Sequence, residues 1–279
     1  MKLGAYFRLM RFHKPVGILL LWFPTAWALW LANKGSPSLK LTLYFLLGTI
    51  FMRAAGCVVN DIADRHVDKH VKRTKTRPLT TGEVSLPEAL LLLIGLLLGA
   101  LIIVLQLPLV CFYYAWLALF ITILYPFCKR FFEAPQLVLG LAFSMGIPMA
   151  YAATGIMMNS TMALLFILNF AWIVAYDTMY AMVDREDDLR IGVKSTAILF
   201  GQYDRFIIFL LQLIFHLLWL IIAYKMRYSM VFYTGWTVAI LILMYQQWLL
   251  SKPDTRAYFT AFSTNAIYGL LMWGVLVVS

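Results

Sequence analysis

The sequence predicts an all-α integral membrane protein of about nine transmembrane helices, with its N-terminus on the cytoplasmic side. Three observations carry that reading: an extreme apolar composition, nine apolar stretches of bilayer-spanning length, and positive charge confined to alternate loops. Of the 279 residues, 63% are hydrophobic and 13% charged, against about 45–50% apolar and about 25% charged in soluble domains. A water-soluble fold of this size could not hide so much apolar surface.

A helix needs about 20 apolar residues to cross the hydrocarbon core. The first such stretch, Pro15 to Ala32, follows a basic arm in which no cleavable signal is expected. The second, Leu41 to Val59, carries one arginine, Arg53, and runs into an aspartate-rich segment. The longest polar stretch, Asn60 to Glu88, precedes the third, Ala89 to Leu107, and the fourth, Leu109 to Phe127, ends at Lys129 and Arg130. The fifth and sixth are Leu137 to Met158 and Met162 to Val183, the latter running into a second aspartate-rich segment. Phe206 to Tyr224, Val231 to Leu250 and Tyr258 to Val278 complete the set. No polar stretch is long enough for a separate soluble domain, so residues 1–279 are expected to form one transmembrane domain.

The N-terminal arm and the second, fourth, sixth and eighth loops hold eighteen Lys and Arg residues, and the opposite loops hold four. Cytoplasmic connections retain positive charge, so an odd number of spans with the N-terminus inside is expected. The same rule accounts for the net charge of +10 without nucleic acid. Cys57, Cys111 and Cys128 are odd in number and sit in or beside apolar spans, which argues against a disulfide framework.

Seven of the nine aspartates fall in two segments, Asn60-Asp61-Ile-Ala-Asp64-Arg65-His66-Val-Asp68 and Asp177-Thr-Met-Tyr180-Ala-Met-Val-Asp184-Arg185-Glu186-Asp187-Asp188, each running on from the end of a predicted span. At 100° per residue from Asp61, Asp64 falls at about 300°, Asp68 at about 340° and Asn60 at about 260°. From Asp177, Asp184 falls at about 340°, Asp188 at about 20° and Asp187 at about 280°, while Glu186 points away. Each segment thus gathers oxygen ligands into one arc. Carboxylates stacked on one helix face repel unless cations neutralise them. Oxygen-only clusters suit magnesium, which is commonly held by a few carboxylates together with substrate phosphate.

Arg65, Lys72, Arg73 and Arg77 follow the first cluster, and Arg185, Arg190 and Lys194 the second, supplying charge-assisted donors for phosphate oxygens. Positive-inside retention explains any one of these cations but not two phased acidic arcs. Arg53 lies on the first arc, at about 280° and about 12 Å deeper. An arginine at that depth needs a polar cavity and an anion. It is expected at the floor of the site, facing a diphosphate or a substrate carboxylate, unless a neighbouring helix supplies a carboxylate.

Asn60 to Asp68 resembles the NDxxDxxxD motif of the UbiA superfamily of intramembrane prenyltransferases, and YDTMYAMVDREDDLRIGVKST, Tyr176 to Thr196, resembles its 4-hydroxybenzoate polyprenyltransferase branch. RFHKPVG at Arg11 to Gly17, the Arg53 to Asn60 stretch and LYPFCKR at Leu124 to Arg130 extend the resemblance over most of the chain. The resemblance implies helices around a central cavity with the two motifs facing across it and transfer of a polyprenyl group from its diphosphate to 4-hydroxybenzoate in ubiquinone synthesis; a bacterial inner membrane is expected because no Ser- and Arg-rich organelle-targeting leader is seen. It implies magnesium as cofactor, bound by Asn60, Asp64, Asp184 and Asp188, with Asp61 and Asp68 in support and Asp177 among the catalytic acids. Arg11, Arg53, Arg65, Lys72, Arg73, Arg130, Tyr180 and Lys194 are the expected substrate contacts. Of these, Arg65 and Arg130 are candidates for the aromatic carboxylate, and Lys72 and Lys194 for the diphosphate.

Other signals carry less. His66 and His70 lie at about 140° and 180° from Asp61, on the face away from the acids, and are expected to be solvated rather than zinc ligands. Gly192 to Thr196 echoes part of a phosphate loop without its upstream glycine and strand. A cation-coupled transporter is the rival from another class, but its acids would sit near mid-membrane rather than at helix ends. Within the superfamily, another acceptor is the alternative.

Overall fold

The computed structural model describes residues 2–71, 73–156 and 158–279. All regular structure among them is helical: α1 (Leu3–Leu9), α2 (Val16–Ala32), α3 (Leu39–Asp64), α4 (Pro78–Thr81), α5 (Leu86–Val104), α6 (Leu109–Cys128), α7 (Pro135–Ser144), α8 (Gly146–Ala153), α9 (Ser160–Ile191), α10 (Thr196–Phe200), α11 (Asp204–Met226), α12 (Met230–Leu250) and α13 (Thr255–Val278), with 3-10 turns at Asp68–His70 and Gly201–Tyr203. Seven stretches are long and apolar enough to cross a bilayer: α3, α5, α6, the α7–α8 pair, α9, α10 through α11, and α13. The chain is therefore a multi-pass membrane protein. The other two expected spans coincide with α2, which is apolar but 17 residues long, and α12, which has 21 residues.

Those two helices depart from a simple apolar span for local reasons. Trp22 through Leu29 of α2 are all buried, so protein rather than lipid surrounds it. In α12, Gln246 and Gln247 lower the hydropathy but are bonded to neighbours: Gln246 Oε1 accepts from Gln212 at 2.7 Å, and Gln247 donates to Gln212 at 2.8 Å. Shared amide pairs of this kind are what make polar side chains tolerable inside a bundle. The fifth predicted span is divided at Met145, because Pro148 has no N–H to offer the Ser144 carbonyl four residues before it.

The core is built where α2, α9, α11 and α13 meet. Trp27 packs on Trp172 and Trp219 with ring centroids 5.0 and 5.1 Å apart, and all three are fully buried. Their N–H groups are engaged where neighbours allow: Trp172 donates to Asn265 Oδ1 at 2.9 Å, and Trp27 to the Gly269 carbonyl at 3.3 Å. The outer helices do the opposite. Leu91, Ile102, Trp116 and Phe120 on α5 and α6 are between 58% and 69% exposed, an apolar wall that lipid, not water, can solvate.

At Gly269 a side chain is excluded, since a Cβ there would lie 2.5 Å from Phe23 Cδ2. Gly269→Ala is therefore expected to lower the thermal midpoint of the detergent-solubilised protein, at an overpacking cost of about 1–3 kcal/mol. An unchanged midpoint would mean that the α2–α13 seam relaxes without penalty.

Candidate active site

Two long helices bring the acidic segments together. α3 extends past its apolar portion to Asp64, and α9 continues unbroken for 32 residues to Ile191, where Gly192 adopts a left-handed φ of 72° and ends it. Because α9 is continuous, most of the phase expected from the sequence holds: Asp177, Asp184 and Asp188 line one cavity of about 600 Å³ and Glu186 is exposed, whereas Asp187, expected at the edge of the same arc, is not part of the lining. Asn60, Asp61, Asp64 and Asp68 line the same cavity.

The first segment corrects one part of the helical phase. α3 ends at Asp64, the chain turns, and Asp68 begins a 3-10 turn, so Asp68 does not share a helical arc with Asp61. Tertiary contacts place it instead. Arg77 Nη1 lies 2.7 Å from Asp68 Oδ2 and 2.9 Å from Asp61 Oδ1, and Arg11 Nη2 lies 2.7 Å from the same Asp61 oxygen. Asp61, 1% exposed, thus holds two arginines. Arg11 reaches it from a left-handed backbone conformation, φ 62°, which is costly for a residue with a Cβ.

Arg73 and Thr74, between α3 and α4, link the two acidic walls. Thr74 Oγ1 donates to the Asp68 carbonyl at 3.0 Å, and Arg73 Nε donates to Asp184 Oδ1 at 2.9 Å with its guanidinium 4.8 Å from the Tyr180 ring centre. Burial opposes the Arg73 charge, but Tyr180 and the hydrogen-bonded Asp184 outweigh it and hold the guanidinium above its usual range. Across the cavity, Lys129 Nζ lies 3.9 Å from Asp64 Oδ2 and 4.9 Å from the centre of the Tyr125 ring, one helical turn earlier on α6.

The rim carries a surplus of positive charge. Burial, and after it the neighbouring Arg73, Arg11 and Arg77, hold the Lys14 ammonium below the usual lysine range. Cations that repel one another across a shared cavity are relieved by a polyvalent anion. The acids are oxygen donors, yet among the described residues no three His, Cys, Asp or Glu side chains converge closely enough to hold an ion. What the acids do supply is oxygen donors only, the type that a hard cation such as magnesium takes.

Arg53 lies deeper. It lines both the polar cavity and an apolar one of about 370 Å³ walled by α2, α3, α5, α6, α7 and α8, and the two cavities share Gly56, Thr122, Ala142 and Phe143 as well. No carboxylate among the described residues makes a contact ion pair with it, although its charge acts on Asp177 of α9, and its Nε is buried without a hydrogen-bond partner. The structural pairing weighed from the sequence is therefore not made.

Of the remaining expected contacts, Arg130 and Lys194 line the cavity; Arg130 donates to the Ala63 carbonyl at 3.1 Å, and Lys194 pairs with the exposed Glu133. Arg65 does not line it, because it follows the end of α3 and donates to His66 at 3.0 Å. Lys72 lies outside the described residues. The sequence reading named neither Tyr125 and Lys129 nor Lys14 as site residues, although an aromatic and a lysine four apart at the end of an apolar span was a usable signal. Gln136 and Ser195 also line the cavity. Gln136 accepts from the Thr196 backbone N–H at 2.8 Å, and the Lys194 N–H donates to the Lys129 carbonyl at 2.9 Å, so the segment after α9 is tied to α6 and α7.

The sequence profile of the UbiA prenyltransferase family matches residues 21–274. A 4-hydroxybenzoate octaprenyltransferase from Legionella pneumophila (strain Lens) is 60% identical over 270 residues, covering 97% of this chain and 96% of the relative. The enzyme of the same name from Coxiella burnetii (strain CbuK_Q154) is 48% identical over 272 residues, with 97% and 95% covered. Among solved structures, the apo UbiA homolog from Aeropyrum pernix K1 superposes with a TM-score of 0.81 at 20% identity, covering 93% of this chain and 97% of that one. The Archaeoglobus fulgidus UbiA homolog bound to GPP and Mg2+ gives 0.71 at 21% identity, covering 99% and 100%.

Proposed function

The chain belongs to the UbiA prenyltransferase family, and from that premise we propose that it transfers a polyprenyl group from polyprenyl diphosphate to 4-hydroxybenzoate, ortho to the hydroxyl, in ubiquinone biosynthesis. The observation that carries the reading is the meeting of both acidic segments and their cations in one cavity that continues into an apolar chamber. The proposal includes nine spans in a bacterial inner membrane, with the N-terminus and the polar cavity on the cytoplasmic side, as the loop charges favour.

Asn60 and Asp64 on one wall and Asp184 and Asp188 on the other would hold magnesium. When bound, the metal supplies Lewis-acid neutralisation of the diphosphate charge. The chain's own residues do the rest. Lys14, Arg73 and Lys129 would take diphosphate oxygens and stabilise the charge that grows as the allylic C–O bond ionises. Asp61 and Asp68 hold Arg11 and Arg77 at that rim. Tyr125 and Tyr180 put aromatic faces beside the ionising carbon, and the membrane-embedded walls exclude the water that would otherwise capture the cation. The ring carbon ortho to the hydroxyl then bonds to the cation, and loss of its proton restores the aromatic ring. Arg53, deep and without a contact ion pair among the described residues, would take the acceptor's carboxylate. A tail of tens of carbons gains about 0.8 kcal/mol per buried methylene, which suits the apolar chamber.

The test is to incubate membranes containing the protein with a polyprenyl diphosphate and 4-hydroxybenzoate, other aromatic acids, or no acceptor. Prenylated 4-hydroxybenzoate is expected as the preferred product, and chelation of divalent metal is expected to reduce its rate at least about a hundredfold. Equal turnover after chelation, or preference for another acceptor, would overturn the corresponding part of the proposal.

A further inference from the structure

Arg53 is held at the junction of the two cavities by a feature of α2 rather than by a charged partner. Its guanidinium lies directly over Gly17, in the first turn of that helix: a Cβ built on Gly17 would stand 2.4 Å from Arg53 Nη2, 2.6 Å from Nε and 2.9 Å from Cζ. Both nitrogens lie nearer than Cζ, so the guanidinium meets this turn edge-on, with its Nε–Nη2 side against backbone that only glycine leaves open. On another side, Cζ is 5.9 Å from the centre of the Phe143 ring. The cation is thus located by shape, between a bare helix turn and an aromatic ring, with Nη1 on the side turned away from Gly17 and left to a ligand.

We propose that Gly17 is a specificity-determining residue, which acts by seating the Arg53 guanidinium where it meets the carboxylate of the acceptor. The inference rests on the reading of Arg53 given above. The rim cations Lys14, Arg73 and Lys129 are separate from this seat, so diphosphate binding does not depend on it. A side chain at Gly17 would push the guanidinium towards the cavity or turn it away from the carboxylate. Because the Nη1 side, turned away from Gly17, is what can pair with a carboxylate, a tilt costs recognition and not only proximity.

The experiment compares Gly17→Ala with Gly95→Ala, a glycine-to-alanine change on α5 where a Cβ meets nothing within 4 Å. KM is measured separately for 4-hydroxybenzoate and for the prenyl diphosphate, and kcat/KM is compared between 4-hydroxybenzoate and phenol, which lacks the carboxylate. Gly17→Ala is expected to raise the acceptor KM about tenfold or more, leave the prenyl diphosphate KM within about twofold, and reduce the preference for 4-hydroxybenzoate over phenol by a similar factor. Gly95→Ala is expected to change none of these. Adding Arg53→Lys to Gly17→Ala, which replaces the flat fork with a narrow flexible ammonium, is expected to recover part of the acceptor affinity.

If both KM values rise together, or the preference over phenol is unchanged, Gly17 is a packing residue and the inference fails. Should Gly17→Ala not accumulate in membranes, Arg53→Lys and Arg53→Gln in the glycine background carry the same preference measurement. Arg53→Gln with a normal acceptor KM would remove the reading of Arg53 itself. A raised KM in Arg53→Gln beside a normal one in Gly17→Ala would overturn the role of Gly17 alone.

Discussion

Asp64→Ala and Asp184→Ala are each expected to reduce kcat/KM for prenyl transfer by about a thousandfold while the protein still accumulates in membranes at near-normal levels. Removing one group aimed at developing charge costs about 2.7–4 kcal/mol in comparable sites, and these carboxylates would act both on the metal and, through it, on the diphosphate. The two variants differ in what else they disturb. Among the described residues the ion pair that Asp64 has to lose is the 3.9 Å contact with Lys129, whereas Asp184→Ala strips Arg73 of its hydrogen-bonded partner. Asp64→Ala is accordingly the cleaner probe, and Asp184→Asn separates loss of charge from loss of the side chain. Labelled 4-hydroxybenzoate and quantitative immunoblotting of the membrane fraction give both readouts. Turnover within about tenfold of wild type in Asp64→Ala would mean that the diphosphate is held elsewhere.

Arg77→Ala is expected to be the most destabilising single change at the site. Arg77 is shared by Asp61 and Asp68, which are 1% and 5% exposed. Its removal leaves two nearly buried carboxylates with Arg11 as the remaining arginine on Asp61. Breaking a buried ion pair from one side costs about 3–5 kcal/mol, because an uncompensated charge is left behind. The expected result is a marked drop in the thermal midpoint in detergent and faster proteolysis between α3 and α4. Arg77→Lys should fall in between, since one ammonium cannot reproduce the guanidinium's reach to two acids. Combining Arg77→Met with Asp68→Leu should recover part of the loss, as apolar replacement of both members of a buried pair often does. A midpoint unchanged in Arg77→Ala would show that water already screens these acids.

How much of the site was legible depended on whether the chain stayed helical. Along α9 the 100° step projected Asp177, Asp184, Asp187 and Asp188 to one arc, and all but Asp187, at its edge, line the cavity, because nothing interrupts that helix before Gly192. Along α3 the same step failed beyond Asp64, where the helix stops. Asp68 reaches the cavity through Arg77 and Thr74 instead, contacts nine and six residues away that no helical period encodes. The depth of Arg53 was readable from its position in an apolar span, but its seat on Gly17 was not, since the two residues lie on different helices. Arg65 shows the reverse limit: its place in the motif suggested a substrate contact, and the end of α3 turns it to His66.

By itself, the sequence determined the solvent and the chemistry. An excess of apolar residues in runs of spanning length requires a bilayer, and aspartates clustered beside basic residues at helix ends call for metal and phosphate, since burying like charges together costs too much otherwise. Only the tertiary structure decided which groups meet. Arg73 crossing to Asp184, Arg11 and Arg77 converging on Asp61, and Arg53 lying over Gly17 each join residues from separate helices or loops. Helix packing sets those distances, and the one-dimensional pattern of the chain constrains packing only through which faces are apolar.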